Sequence, residues 1–427
     1  MIIEILEVTF LILMALMIAY FVRHYIFTLT VLRKPQKHER AVTAGKTPYQ
    51  PTVSILIPAR DEEKVIGRIL QRMTELTYPK EKLQIIVIND ASTDNTGKIA
   101  EQYSKTYGYI KVIHRDEKEG GRGKASALNA GLKHANGEII LCFDTDYYPQ
   151  VNIVEKLVVG FADQKVGGVQ GRVVVLNEPQ NLVTRLVALE RMGGYRVDQH
   201  ARHVLGLVPQ LGGTAVAIRR SLLESLGGWD PPILAEDTDL TFSIYLAGYK
   251  ILYIKDAESY EEAVESWKAY RKQRRRWAKG HMQCAFKHSL KVLKSNNLSL
   301  KEKIDGLLIL NVYFMPILTI LSWIIGPLLF ILKPMQPLNA LLASLLVSIY
   351  SFAGNFAPFF EVGIGAYLDG RTRICWLIPL LIFTCLYNIV ICTEAFTDLL
   401  ISKISRKNHL HWDKTVHSGN GNSYIMS

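Results

Sequence analysis

"EIILCFDTD", residues 138–146, is an apolar run that ends abruptly in two aspartates. A short run of β-branched and apolar residues closed by a turn signal reads as a buried strand. Asp144 and Asp146 stand two apart at its carboxyl end. Residues i and i+2 of an extended chain point the same way, so both carboxylates can approach one hard cation. Mg²⁺ or Mn²⁺ held by one or two carboxylates takes its remaining ligands from water and phosphate oxygens. The bland alternative is a turn with two solvated acids.

Three upstream segments have the same texture: "TVSILIP" (52–58), "LQIIVIND" (83–90) and "IKVIH" (110–114). Helical patterns lie between them, in "EEKVIGRILQRMTEL" (62–76) and "GKASALNAGLKHA" (123–135). Strand and helix in alternation predict an α/β fold, a mainly parallel sheet with helices on both faces, from Pro51 to near Asp256. Such sheets bind ligands at the carboxyl ends of their strands. Two more strands open there into acidic loops, "ARDEE" (59–63) and "NDASTDNTG" (89–97), the latter with Asp90 and Asp94. One such loop is an ordinary helix cap. Three on one sheet edge imply a cation or donor groups among them.

"GGRGKASALNAG" (120–131) offers backbone amides and Lys124 to an anion. "QLGGTAVAIRR" (210–220) leads to "LAEDTDL" (234–240), with Glu236, Asp237 and Asp239. An acid here can take the proton of an acceptor hydroxyl or can simply cap the helical "DLTFSIYLAG". "AYRKQRRRWAKGH" (269–281) then packs six Lys and Arg residues around Gln273, Arg276 and Trp277, spaced Q-x-x-R-W. Its place between an acidic motif and an apolar segment argues against nucleic acid as its partner.

The chain has 427 residues, a formal charge of +11 and 49% hydrophobic residues. That balance suits a polyanion, an anionic membrane or a phosphate-bearing substrate, and a chain part in water and part in lipid. The five cysteines form no close pair, which excludes a disulfide framework and a zinc site. Ile5 to Val22 carries one charge, Glu7, and is followed by Arg23, His24, Arg33 and Lys34. That reads as an uncleaved anchor with the following domain in the cytoplasm. Gly306–Leu332, Leu338–Phe360 and Ile374–Ile401 are three further membrane candidates. Four crossings would put the tail outside, whereas its basic residues place it inside. This parity conflict implies that one segment lies in the interface or forms a re-entrant pair. Glu361 and Glu394 are the ionisable residues to watch near membrane depth.

The ordered set "IPARDEE", "INDASTDNTG", "GKASALNAG", "FDTDYYP", "LGGTAVAIRR", "AEDTDL" and "QRRRW" resembles family 2 glycosyltransferases, in particular the membrane-embedded synthases of β-linked polysaccharides. The resemblance covers roughly residues 52–280. It implies a GT-A fold, a Rossmann-like cytosolic domain, with helical membrane and interface segments. The chain then divides into an anchor (1–34), a linker (35–50), the glycosyltransferase domain (51–260), an amphipathic interface region (261–300), a membrane region (301–401) and a cytosolic tail (402–427). "HWDKTVHSG" (411–419) in that tail looks like a gating segment.

The resemblance also implies roles. Ala59, Arg60, Glu62, Asp90, Lys124 and Asp144 would bind the sugar nucleotide, a UDP-sugar, and Asp144 and Asp146 would hold Mg²⁺ or Mn²⁺ on its diphosphate. Asp237 would be the base of an inverting transfer, with Gln273, Arg276 and Trp277 beside it, and Gly213, Thr214, Glu236 and Trp277 would meet the acceptor. Arg60-Asp61, Asn89-Asp90 and Ala235 depart from the family's usual residues; the first two bear on the choice of base. The expected activity is processive extension of a polysaccharide at the cell membrane, with a homo-oligomer or an accessory secretion subunit as partner. The alternative is transfer of one sugar to a lipid. A silent sugar-nucleotide-binding subunit is the non-enzymatic rival, and the intact Asp144, Asp146 and Asp237 speak against it. The basic residues of 271–294 other than Arg276 are expected on lipid headgroups.

Overall fold

The computed structural model describes residues 1–33, 49–332, 337–405 and 419. Helix α1 (Ile2–Arg33) leads to an eight-stranded sheet of order β3-β2-β1-β4-β7-β6-β8-β5. The four strands read from the sequence are β1 (Val53–Ala59), β2 (Leu83–Asp90), β3 (Ile110–Arg115) and β4 (Ile139–Cys142), all parallel. Both β1 and β2 are buried along nearly their whole length, as expected of central parallel strands covered on both faces. Their period of two sorts the core into two layers. Ile55, Ile57, Ile85 and Val87 face α2 (Ile66–Glu75), α3 (Thr96–Thr106) and α5 (Ile153–Val158). Leu56, Ile86 and Ile88 face α4 (Lys124–Leu132).

The other four strands are β5 (Tyr147–Pro149), β6 (Val166–Val175), β7 (Val216–Arg219) and β8 (Lys250–Glu261). Strand β7 runs antiparallel to β4 and to β6, β5 runs antiparallel to β8, and β6 is parallel to β8. From β1 the chain winds outward through β2 and β3, then returns to place β4 on the other side of β1. That reversal opens a crevice at the carboxyl ends of β1 and β4, the natural ligand position of such a sheet. "ARDEE" and "DTD" are the two loops that border it.

Between β6 and β7 run α6 (Leu182–Arg191), a π-helical stretch (Met192–Gln199) and α7 (His200–Leu205). Helices α8 (Arg220–Ser225) and α9 (Glu236–Leu246) follow β7. Helix α9 includes the "EDTD" acids in its first turn, where the helix dipole favours them. The Q-x-x-R-W segment lies on one 28-residue helix, α10 (Trp267–Lys294). It is followed by α11 (Leu300–Asn311), a 3-10 turn (Val312–Phe314), α12 (Met315–Leu332), α13 (Pro337–Leu368), a 3-10 stretch (Thr372–Leu380) and α14 (Leu381–Ser405). The second core layer continues through α9 into Cys284, Ala285 and Val292 of α10 and Ile309 and Leu310 of α11.

Among the described residues, Ile2–Arg33, Leu300–Leu332 and Thr372–Ile404 are long and apolar enough to cross a membrane. The segment Leu338–Phe360 lies within α13. The candidate gating segment lies outside the described residues apart from Gly419. The expectation that the basic residues of α10 rest on lipid headgroups is corrected for most of them. Arg271 pairs with Glu394, Arg274 with Glu190, Arg275 and Lys279 with Asp398, and Lys287 with Asp230 and Asp239. The carboxylates come from distant parts of the chain, so the charge run looked unpaired in sequence.

Candidate active site

One cavity of ≈ 440 Å³ opens at the β1/β4 crevice. Ala59, Arg60, Glu62, Asp90, Lys124, Asp144 and Asp146 line it from the sheet side. Gly213, Glu236 and Asp237 line it from the β7 and α9 side, and Gln273, Arg276 and Trp277 from α10. Of the residues to which the sequence gave a role in the site, Thr214 alone is absent from the wall. It is buried, and its hydroxyl accepts a hydrogen bond from the Asp144 amide at 3.2 Å, so it orients the "DTD" turn from behind.

The acidic loops divide into structural and cavity-facing carboxylates. Asp61 accepts from the Thr93 amide at 2.7 Å, and Asp94 accepts from the Thr96 amide at 2.9 Å. The Glu63 amide donates to Asp94 at 3.1 Å, lacing "ARDEE" to "NDASTDNTG". These acids cap and stitch. Asp90 is buried, paired with Arg115, and accepts from the Gly121 amide at 3.1 Å.

Lys124 is the hub of the acid cluster. Its Nζ lies 2.5 Å from Asp144 Oδ1 and 3.6 Å from Glu236, and donates to the Gly213 carbonyl at 2.8 Å. Burial disfavours its charge, but Asp144, Glu236 and Asp237 outweigh burial and raise its pKa. Burial also raises the carboxyl of Asp237 above the ordinary aspartate value, with Lys124, the Thr238 amide and Arg276 pulling the other way. Glu236 is raised too, by burial first and by Asp237. Gly213 sits at φ +77°, and a Cβ there would stand 3.2 Å from both Lys124 Nζ and Asp237 Oδ2. Only a residue without a side chain keeps that backbone and that gap. Gly280 does the same for α10: a Cβ would fall 2.4 Å from the Ala235 amide, so α10 packs directly on the start of α9. Asp239 locks the pair, accepting from His288 and Lys287 at 2.7 Å each.

This arrangement fixes a sign. A carboxylate base works deprotonated, so activity falls as pH drops through its pKa. Lys124→Met removes the first cation that lowers the pKa of Asp237. The acid limb of the kcat/KM profile is therefore expected at higher pH in Lys124→Met than in the wild type. A limb that stays in place or moves to lower pH contradicts the assignment.

Several wall residues carry no signal in the linear sequence. Arg191, at the end of α6, grips Glu261 through Nε at 2.5 Å and Nη2 at 2.9 Å, while Tyr147 donates to the same carboxylate at 2.7 Å. The guanidinium carbons of Arg191 and Arg274 lie 5.1 and 4.6 Å from the centre of the Trp277 ring, within cation–π range. Tyr195 of the π-helical stretch is buried in the wall, and burial pushes its phenol up to about 12. His281, stacked on Tyr313 with centroids 4.5 Å apart, is pushed down to about 4 by burial and is neutral. His281 was within reach of the sequence, because 273, 277 and 281 share one face at four-residue spacing.

Among the described residues no three His, Cys, Asp or Glu side chains gather into a self-sufficient metal cage. Asp144 and Asp146 are hard oxygen donors on one cavity wall with open space before them. That donor set fits a divalent cation that draws its other ligands from a diphosphate and water.

Comparison with known proteins agrees with this geometry. The family model described as "Glycosyltransferase like family 2" matches residues 51–280. "Probable glycosyltransferase YdaM" of Bacillus subtilis strain 168 is 42% identical over 238 residues, 56% of this chain and 57% of that protein, so the match spans less than two thirds of its length. "Beta-monoglucosyldiacylglycerol synthase" of Nostoc sp. strain PCC 7120 is 30% identical over 397 residues, 92% of this chain and 81% of that one. Polysaccharide synthases also match, over a shorter part of the chain. Among solved structures, mannosyltransferase PcManGT of Pyrobaculum calidifontis, in complex with GDP-Man and Mn²⁺, superposes with a TM-score of 0.58. It covers 86% of this chain and 98% of its own at 23% identity, which speaks to the GT-A fold alone. With the family model covering more than half of the chain and the Nostoc relative matching into the apolar helices, this protein belongs to glycosyltransferase-like family 2.

Proposed function

We propose that this protein transfers one sugar from a nucleotide-sugar donor to a lipid acceptor in the membrane, with inversion at the anomeric carbon. The observation that carries this reading is where the cavity goes. From Asp237 it continues to Ile309, Val312 and Tyr313 at the α11–α12 joint and to Arg23 of α1. There its wall is built, among the described residues, of ion pairs. Arg23 pairs with Asp198 at 3.0 Å, and Arg202 with Asp198 at 2.9 Å and with Asp305 at 3.3 Å. His24–Glu361 at 2.6 Å and the Tyr20 hydroxyl on the Leu308 carbonyl at 2.6 Å close the seam further. A lipid hydroxyl reaching in from the bilayer suits such a dead end better than a polymer leaving through it. The likeness to a diacylglycerol glucosyltransferase through the apolar helices supports the same choice.

The chemistry follows from the wall. Asp90, Arg60 and Glu62, at the carboxyl edge of β1 and β2, would receive the nucleoside end of the donor. Asp237 accepts the proton as the acceptor oxygen bonds to the anomeric carbon and the diphosphate departs from the opposite face. Lys124 and Arg276 of the same cavity would stabilise the charge that gathers on the leaving group. A divalent cation held by Asp144 and Asp146 would add Lewis-acid stabilisation of that diphosphate. One displacement inverts the centre and needs no second nucleophilic carboxylate.

The test uses the full chain in nanodiscs containing diacylglycerol, with labelled UDP- and GDP-sugars in parallel. A single labelled glycolipid at all times is the expected product. Long carbohydrate chains beside unused lipid would replace this reading with processive polysaccharide synthesis.

A further inference from the structure

Helix α14 meets the length and composition of a membrane span, yet its partners place it elsewhere. The Tyr387 ring stacks on Tyr270 with centroids 6.3 Å apart, and Asn388 donates to the Tyr270 hydroxyl at 3.3 Å. Glu394 then pairs with Arg271, and Asp398 with Arg275 and Lys279 at 2.5 Å each. Near its end, Lys403 Nζ lies 5.8 Å from the Phe286 ring. The partner numbers rise together, so α14 lies parallel to α10 along most of its length. Helix α10 carries ten Lys and Arg residues and no carboxylate, and its Gln273, Arg276 and Trp277 wall the catalytic cavity. It cannot sit in hydrocarbon, and a helix bound alongside it lies at the same level.

The periodicity of α14 fits that placement. Phe383, Leu386, Val390, Leu400, Ile401 and Ile404 are exposed. At 3.6 residues per turn they fall within about 100° of the circumference. Tyr387, Glu394 and Asp398 form a stripe roughly a quarter-turn to one side by the same count. A helix lying flat needs that pattern, with a neighbour beside it and lipid beneath. Helix α10 exposes Phe286, Leu290 and Leu293 in the same manner, which continues the apolar surface.

The other apolar helices fix the sides. Helix α12 runs against α1, with the Tyr20 hydroxyl on the Leu308 carbonyl and a Cβ at Gly326 3.2 Å from Phe10. Helix α13 runs with α1, with His24 on Glu361, Tyr25 beside Phe360, and a Cβ at Gly354 3.3 Å from Phe21. The ends of α1 and α13 therefore emerge together, and Asp369 there pairs with Arg172 and Arg196 beside the sheet. Further on, the Gly419 amide donates to Glu262 of the cavity wall at 2.9 Å.

We infer that α1, α12 and α13 are the crossings and that α14 is an amphipathic helix lying on the lipid surface of the catalytic side, held there by its ion-pair ladder to α10. The chain then crosses three times and returns its tail to the side of the active site, which resolves the parity conflict left by four apolar segments. This placement of α14 is independent of which acceptor the enzyme uses.

The experiment uses the full chain in sealed vesicles of known orientation, with Cys375 and Cys385 replaced by Ser and sugar transfer verified. Thr372→Cys and Ser405→Cys are each treated with a membrane-impermeant maleimide. Both are expected to react from the catalytic side and neither from the other. Nitroxides at Leu386 and Ile401 are expected at equal depth in the bilayer. A spanning α14 would separate them by roughly 20 Å, at 1.5 Å per residue. Reaction of Ser405→Cys from the opposite side, or such a difference in depth, overturns the inference. Trypsin on wild-type vesicles tests the same placement without substitutions. Cleavage after Arg406 is expected only when the catalytic side faces out, and cleavage only in the opposite orientation overturns it.

Discussion

Asp237→Asn is expected to lower sugar transfer by roughly 10²-fold or more, the usual scale of a general base, while nucleotide-sugar binding survives. The substitution keeps the shape of the side chain and its hydrogen bond from the Thr238 amide at 2.6 Å. It removes the capacity to take a proton together with one of the negative charges that face Lys124. Glu236 is the neighbouring carboxylate, but it is buried and held 3.6 Å from Lys124. A donor-binding titration separates the two ways of failing. Lost turnover with unchanged donor affinity supports the base; lost affinity points instead to a damaged Lys124 cluster. Turnover near the wild-type rate removes Asp237 from the role.

Chelation is expected to abolish transfer, and added Mg²⁺ or Mn²⁺ to restore it. Asp144→Ala and Asp146→Ala should each weaken binding of the nucleoside diphosphate in metal-containing buffer. The two differ in one respect. Asp144 also balances Lys124 at 2.5 Å, so removing it frees an ammonium beside Asp237 and Glu236. Asp146 has its backbone carbonyl tied to Arg68 at 2.8 Å. Both variants are read by calorimetry of diphosphate with and without cation. Full activity in excess chelator would exclude a metal-dependent step.

The half of the fold that was legible consists of β1 to β4: β1, β2 and β4 are apolar runs closed by an acidic turn, and β3 is a short β-branched run between helical patterns. The nearly complete burial of β1, β2 and β4 is what a central parallel strand requires, whereas β3 is the half-exposed edge of the sheet. Strand β6, "VGGVQGRVVV", hides behind three glycines, and β8, "KILYIKDAESYE", passes from an apolar start into a polar second half. Strand β7 has only four residues inside a glycine-rich loop. None of these makes a strong local signal, and each is settled by pairing with distant chain.

The site divides the same way. Residues held at strand ends or on one helix face could be read from spacing, as with Asp144 and Asp146 or Gln273 and Trp277. Arg191, Tyr195 and Arg23 could not, because only long-range packing brings α6, the π-helical stretch and α1 to the cavity. The same limit misread the basic run of α10, whose partners Glu190, Glu394 and Asp398 are far away in sequence.

The shared second core layer has a consequence for where this chain can be cut and rejoined. The block matched by the family model ends at residue 280, but the packing of the sheet does not end there. Leu240, Phe242 and Ile244 of α9 share their core with Val292, Ile309 and Leu310 beyond that limit. Each large apolar side chain so buried contributes about 1.5–3 kcal/mol. Arg172 of β6 and Glu178, between β6 and α6, are likewise neutralised by Asp369 and Arg371 after α13. The block that the family model matches is smaller than the unit that packs around one core. A graft of residues 51–280 onto foreign membrane helices would transplant the reaction without the wall that completes its core.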